Sequence, residues 1–447
     1  MDLELLIKNY KDLGIDVLRD LISYKTVLDK YEENGKYPFG IENKKALDYI
    51  LAKGEEFGFK SKNVDNYAGH IEFGSGDEIL GVLAHIDVVP VEESEWVSDP
   101  FKLDIRENKL FGRGTTDDKG PLVASLIAMK ALKDEGFVPN KRIRLIMGCD
   151  EESGSRCLER YLDKEAHPNL AFSPDADFPL IYGEKAIISF DIMANIKNDI
   201  ITYMNAGERY NIVPSKASFK LSVDLRREFT EYLKKNNYKG EVDGDTYITY
   251  GVSSHAMAPQ KGVNALFIAF DFIKDYDSKL AKFMDKYFTF DCFGKKAGYN
   301  DTDPEMHDLT SNLAIAKTIG DTIKLGFNVR APKDSAFDFI PEKLNPITKE
   351  YGYEFKFLGG SKRHYVSPKS ELVQKLLKSY RFVTNNNVEP ITIGGGTYAR
   401  ELGNAVAFGP QAPGAVDVCH ISNEYMSLDD FYTAIKVYYT AIKELAK

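Results

Sequence analysis

Cysteine, tryptophan and histidine are scarce in this chain, at 4, 1 and 7 of 447 residues. Cys149, Cys157, Cys292 and Cys419 stand apart and form no C-x-x-C pair, which excludes a disulfide framework or thiolate cage and points to free thiols in a reducing compartment. Cys419 adjoins His420, but a lone cysteine of this kind reads as a small buried apolar residue. No run of 18 apolar residues occurs, and Met1–Lys8 has neither the basic start nor the apolar core of an export signal. A cytoplasmic chain with no membrane span is therefore expected. No block of five or six lysines and arginines stands out, and 58 basic against 68 acidic side chains leave a formal charge of −10, so a nucleic-acid partner is not expected. Internal repeats and low-complexity tracts are also lacking.

What is present is a long chain with clear punctuation. Its length calls for two or three domains. Apolar positions at helical spacing predict helices over 3–27 and 41–57, with Gly58 as a stop signal. A hairpin turning at Glu107-Asn108, a helix over 119–135, a strand over 142–147, a helix over 155–164 and a strand over 170–172 follow. Strands alternating with helices predict an α/β fold with a mixed, mostly parallel sheet flanked by helices. After about Ile181 longer alternating runs (187–192, 217–225, 246–251) predict antiparallel strands, with helices over 264–274, 278–287 and 336–350. A helix over 370–383, strands over 390–393 and 405–408 and a helix over 428–445 read as the α/β pattern resuming. The expected division is 1–181 and 381–447 for the α/β domain and 182–380 for an inserted α+β domain.

The chemistry-bearing residues follow apolar segments. Ile79–Pro90 is strand-like and delivers His85 and Asp87, two apart and so on one face, as a metal-ligating histidine and its carboxylate partner require; Pro90 marks the strand as already ending. Asp117 and Asp118 sit in the Gly-bounded turn Gly112–Pro121; an N-cap explains one acid, not two. Asp150, Glu151 and Glu152 follow the strand over 142–147, and Asp175 and Asp177 follow the next one, where open α/β sheets present ligands. Imidazole mixed with carboxylate suits zinc, manganese or cobalt, and two such ions sit roughly 3.5–4 Å apart when one carboxylate bridges them. His85, Asp117, Glu152, Asp175 and a late histidine supply five ligands, leaving one glutamate to work on water. Ligation without thiolates favours a catalytic over a structural site.

In order along the chain, H-I-D-V-V-P, G-R-G-T-T-D-D-K-G-P, D-E-E-S-G-S, S-P-D-A-D, G-G-G-T-Y-A-R and the His420 segment resemble the co-catalytic zinc metallopeptidases of the aminoacylase and carnosinase family, nearest the bacterial PepV-type dipeptidases. The resemblance covers nearly the whole chain. It implies a zinc aminopeptidase/carboxypeptidase-like catalytic domain with an inserted lid, and two divalent ions, zinc first, with manganese or cobalt as alternatives. It further implies that Asp117 bridges the ions, that His85 and Asp175 complete one site and Glu152 and His420 the other, that Glu151 is the general base and that Asp87 supports His85. A cis peptide is implied at Asp117-Asp118. From the lid, it implies His255 as oxyanion donor, Arg330 as the clamp on the substrate carboxylate, ahead of Arg226 and Arg227, and Asn211 as a substrate contact. Gly395 and Thr397, in the run Gly394–Tyr398, are implied to line the bound peptide. His70, His167, His307 and His364 carry no motif and read as structural or surface residues.

The activity so implied is hydrolysis of dipeptides by a water activated between two metals. An aminoacylase or carboxypeptidase acting on N-acylated amino acids is the alternative, and a non-catalytic peptide-binding or metal-binding protein a third reading, weakened by the presence of Glu151. The large insert resembles lids that supply the oxyanion histidine within one chain, so a monomer whose domains close on a small peptide is expected.

Overall fold

The computed structural model describes residues 2–447. All seven residues of the strand Ile79–His85 are buried. A strand with no solvated face belongs inside a sheet covered on both sides, which is the setting of parallel strands. It pairs in parallel with Arg142–Gly148 on one side and Leu170–Ser173 on the other. Beyond Arg142–Gly148 the sheet continues antiparallel through Ala68–Phe73 and Lys60–Val64. Beyond Leu170–Ser173 come Ala405–Ala407, parallel, and Ile181–Glu184, antiparallel. The centre is parallel and the margins antiparallel, and the three central strands end on the same side, so the turns after them open at one edge of the sheet.

Helices Leu3–Ile22, Lys119–Asp134, Glu371–Thr384 and Leu428–Leu445 pack together over this sheet, and Ile41–Glu56 and Arg156–Lys164 cover its Lys60–Phe73 margin. The hairpin Asp104–Arg106/Lys109–Phe111 turns through Glu107 and Asn108, both at positive φ (51° and 58°), as a tight two-residue connection requires. Tyr425–Ser427 pairs antiparallel with Lys109–Phe111, so segments over 300 residues apart in sequence run side by side.

The chain divides into two compact units, one of Met1–Gly183, Tyr365–Ile391 and Gly396–Lys447, the other of Glu184–His364 with Thr392–Gly395. The insert is thus shorter than the 182–380 read from the sequence. Residues 365–380 fall in the first unit because the helix Glu371–Thr384 buries Leu372, Val373, Leu376, Leu377 and Tyr380, and Tyr380 lies 5.0 Å, ring to ring, from Phe178. The second unit is an eight-stranded antiparallel sheet in the order Lys239–Asp243, Thr246–Tyr250, Lys216–Leu221, Ile201–Ala206, Thr310–Ile319, Thr322–Ala331, Ala186–Asn195 and Glu354–Ser361. Phe190, Phe219, Phe229, Phe270, Phe283 and Phe327 anchor its core. The expected strand over 217–225 stops at Leu221, and the helix Arg226–Asn236, with only Phe229 and Leu233 buried, carried too thin an apolar stripe to be read.

Candidate metal centre

His85 is the last residue of its strand, and Asp87 lies beyond the strand's end. The His85 ring is wholly buried; its Nδ1 donates to the Asp87 backbone carbonyl at 3.0 Å, which leaves the Nε2 lone pair pointing outward. That Nε2 stands 2.9 Å from Asp117 Oδ1 and 3.6 Å from Asp175 Oδ2, with no hydrogen-bond partner in proper alignment. Acceptors crowded in this way repel one another unless a cation lies among them, and the donor set is that of a divalent ion. The other Asp117 oxygen, Oδ2, is 2.9 Å from His420 Nε2, itself 3.1 Å from Glu152 Oε1. His85, Asp117 and Asp175 form one group and Asp117, Glu152 and His420 another, the ligand atoms of each lying within 4.8 Å of one another. Asp117 is common to both, one oxygen to each.

The turns that aim these side chains are tightly held. Asp117-Asp118 is cis, and Asp118 Oδ2 accepts the His85 amide at 3.0 Å. The second Asp is thus a brace beneath His85, which explains why two acids share the turn. The Asp87 carboxylate is 3.5 Å from His85 Nδ1, and its Oδ1 and Oδ2 each accept an amide, those of Glu151 and Glu152, at 3.0 Å. It fixes the turn that carries both glutamates, and its backbone oxygen, not its side chain, sets the His85 tautomer. Asp150 is taken up by a two-pronged pair with Arg156, each bond 2.7 Å, at the start of the helix Arg156–Lys164. His420 takes φ +63°, a left-handed conformation uncommon outside glycine.

Burial beside so many acids dominates the electrostatics of the bare chain. It pushes the Glu151 carboxyl well up, with Asp175, Glu152 and Asp117 adding to the effect against the pull of His85. Glu152 rises to about 7 for the same leading reason. Burial opposes charge on His85, but Asp117, Asp175 and Asp87 outweigh it and raise its pKa well above the ordinary value. A proton and a metal ion compete for the same lone pair.

Within the second unit, His255 Nδ1 accepts the Met257 amide at 3.1 Å, so the proton of the neutral ring sits on Nε2 as a donor. The Asn211 carbonyl accepts the Ala256 amide at 2.9 Å, pairing the Asn211 and His255 segments. Arg330 is buried on Thr322–Ala331, its Nε donating to Asn328 Oδ1 at 2.8 Å and its Nη1 to the Gly394 carbonyl at 2.9 Å. Arg226 and Arg227 are exposed and paired with Asp224 and Glu231. In the glycine run, a side chain at Gly394 would meet Met257 Cβ at 2.8 Å, whereas Gly395 has more room. Thr397 Oγ1 accepts the Ala399 amide at 3.2 Å, capping the turn Tyr398–Glu401. Cys419 is half-buried and outside both ligand groups, as are His70, His167, His307 and His364. Sequence reasoning missed Tyr398, whose ring meets the His85 ring edge-on at 6.1 Å, and Glu424, whose carboxylate accepts the Thr116 and Asp117 amides.

A sheet of this topology, with two histidines and two further carboxylates gathered around a shared aspartate, defines the class: a metal-dependent hydrolase built on an α/β sheet. The chain belongs to peptidase family M20/M25/M40, whose sequence profile matches residues 81–444. It is 36% identical over 465 residues to a Staphylococcus haemolyticus protein named "putative dipeptidase", covering 98% of each chain. Among solved structures it is similar to human carnosine dipeptidase 1 (TM-score 0.64, 14% identity, 100% of this chain and 99% of that one). The dipeptidase Dug1p of Saccharomyces cerevisiae shares the fold with TM-score 0.60 and 16% identity over 99% of this chain and 98% of that one. No helix among the described residues is long and apolar enough to cross a membrane.

Proposed function

We propose that this protein is a dinuclear metal-dependent dipeptidase, with His85 and Asp175 holding one ion, Glu152 and His420 the other, and Asp117 both. The observation that carries this reading is the division of the Asp117 carboxylate, Oδ1 toward His85 and Oδ2 toward His420. Ions bound there would supply Lewis acidity and lower the pKa of a bound water toward neutrality. Glu151 stands outside both ligand groups on a turn pinned by Asp87, suited to take the proton from the attacking water and return it to the leaving amine. His255, with its proton on Nε2, is the proposed donor to the developing oxyanion, and Arg330 the partner of the substrate carboxylate. Asn211, Gly395 and Thr397 are proposed substrate contacts. Zinc is the proposed ion, with manganese and cobalt fitting the same ligands, and the proposed working form is a cytoplasmic monomer.

The test strips the protein of metal and restores zinc, manganese or cobalt in turn, assaying a dipeptide, a tripeptide and an N-acetyl amino acid. Dipeptide hydrolysis regained with two ions per chain is expected. Preference for the N-acetyl amino acid would turn the reading to an aminoacylase, and metal uptake without turnover on any substrate would end the enzymatic one.

A further inference from the structure

Glu424 is fully buried, four residues beyond His420, and no motif marks it. Its Oε1 accepts the amides of Thr116 (2.8 Å) and Asp117 (3.2 Å), and its Oε2 accepts the Gly114 amide (3.0 Å) and Arg113 Nη1 (2.7 Å). Its backbone carbonyl accepts the Gly112 amide at 3.1 Å, and the next carbonyl, of Tyr425, accepts Thr116 Oγ1 at 2.8 Å. One carboxylate thus takes four donors, from Arg113, Gly114, Thr116 and Asp117, in the turn that ends in Asp117. On the side toward His420, Asn423 takes φ +62° and clasps the neighbouring loop, accepting the Val97 amide at 2.8 Å and donating to the Glu95 carbonyl at 3.0 Å. Ser422 Oγ donates to Glu95 Oε2 at 2.5 Å. The segment carrying His420 is therefore fastened at one end to the 95–97 loop and at the other to the backbone of Asp117.

We propose that Glu424 is the positioning residue of the metal pair: by holding the Asp117 turn against the His420 segment, it sets the separation of the shared carboxylate from the late histidine. Without this carboxylate the buried Arg113 guanidinium and three turn amides would be left unsatisfied, so Glu424 stabilises the turn as well as shaping it. The shaping is one of orientation, because each amide N–H bond fixes one peptide plane of the turn. Supporting groups of this kind change metal affinity typically 10–100-fold when removed.

This inference rests on the metal reading above, so the experiment separates the two. Zinc is titrated into the metal-free wild type and into Glu424→Gln against a chromophoric chelator, with far-ultraviolet circular dichroism to verify folding. Emission of Trp96, the one tryptophan, whose ring lies 5.4 Å from the Arg113 guanidinium, is recorded alongside. Expected are a folded Glu424→Gln that binds zinc 10–100-fold more weakly, a kcat lowered with KM for dipeptide little changed, and a shifted Trp96 emission. A folded Glu424→Gln with wild-type zinc affinity overturns the inference and leaves the proposed function standing; a wild type that binds no zinc ends both. If Glu424→Gln does not fold, Arg113→Lys, which keeps the charge but alters the grip on Glu424, is read in its place: weakened zinc binding supports the inference, and unchanged binding overturns it.

Discussion

Glu151 and Glu152 are adjacent, yet only Glu152 belongs to a ligand group, because the amides of both are pinned by Asp87 and successive side chains then leave the turn in different directions. Different roles give different phenotypes. Glu151→Ala is expected to retain both ions and lose turnover by about 10²–10⁴-fold, the usual worth of a general base, as metal analysis and steady-state kinetics on the same sample would determine. Loss of metal together with turnover would contradict the role assigned to Glu151. Asp87→Ala removes the acceptor for two amides and should weaken metal binding by about 10–100-fold, read by chelator competition.

The helix Leu428–Leu445 packs against Lys119–Asp134 and Glu371–Thr384, and its N-cap Ser427 accepts the Asp430 amide at 2.9 Å. Ser427→Ala should cost about 1 kcal/mol in chemical denaturation with the metal site intact. In the strand Ala68–Phe73, His70 is buried and its Nδ1 meets Tyr161 OH at 2.9 Å. Burial, with Arg144 close by, lowers its pKa from 6.5 to about 4. A depressed histidine leaves the folded state with fewer bound protons than the unfolded one between these values. Its contribution is therefore whole above pH 6.5 and is lost as pH falls toward 4, by roughly 3 kcal/mol in all. Denaturation of wild type and His70→Gln across that range should show the wild type losing more stability than the variant as pH falls; parallel curves would refute this.

At the scale of the whole molecule, the first unit buries Asp87, Asp117, Asp118 and Glu424 close to its ligand turns, in a chain whose formal charge is already −10. Mutual repulsion of such groups opposes folding, and cations bound to the native state alone relieve it. Chelation should therefore lower the melting temperature, and returning zinc should raise it in proportion to the logarithm of free zinc, as calorimetry would measure. Sedimentation velocity is expected to give a single species near 50.4 kDa; a tight dimer would count against the proposed monomer.

Much of the first unit is legible in the sequence itself. The uninterrupted apolar run Ile79–His85, the stop at Gly58 and the turn at Glu107-Asn108 are local signals, so the parallel centre, the helices of the first unit and the order of acid-rich turns are read from neighbouring residues alone. Beyond their reach were the return of the Glu371–Thr384 helix to the first unit, the use of Asp87 on the Glu151-Glu152 amides, and Glu424, an acid with no motif and no periodicity around it. Each of these depends on hydrogen bonds or packing between segments distant in sequence, where a side chain's role is decided by the donors and rings that the folded chain brings to it.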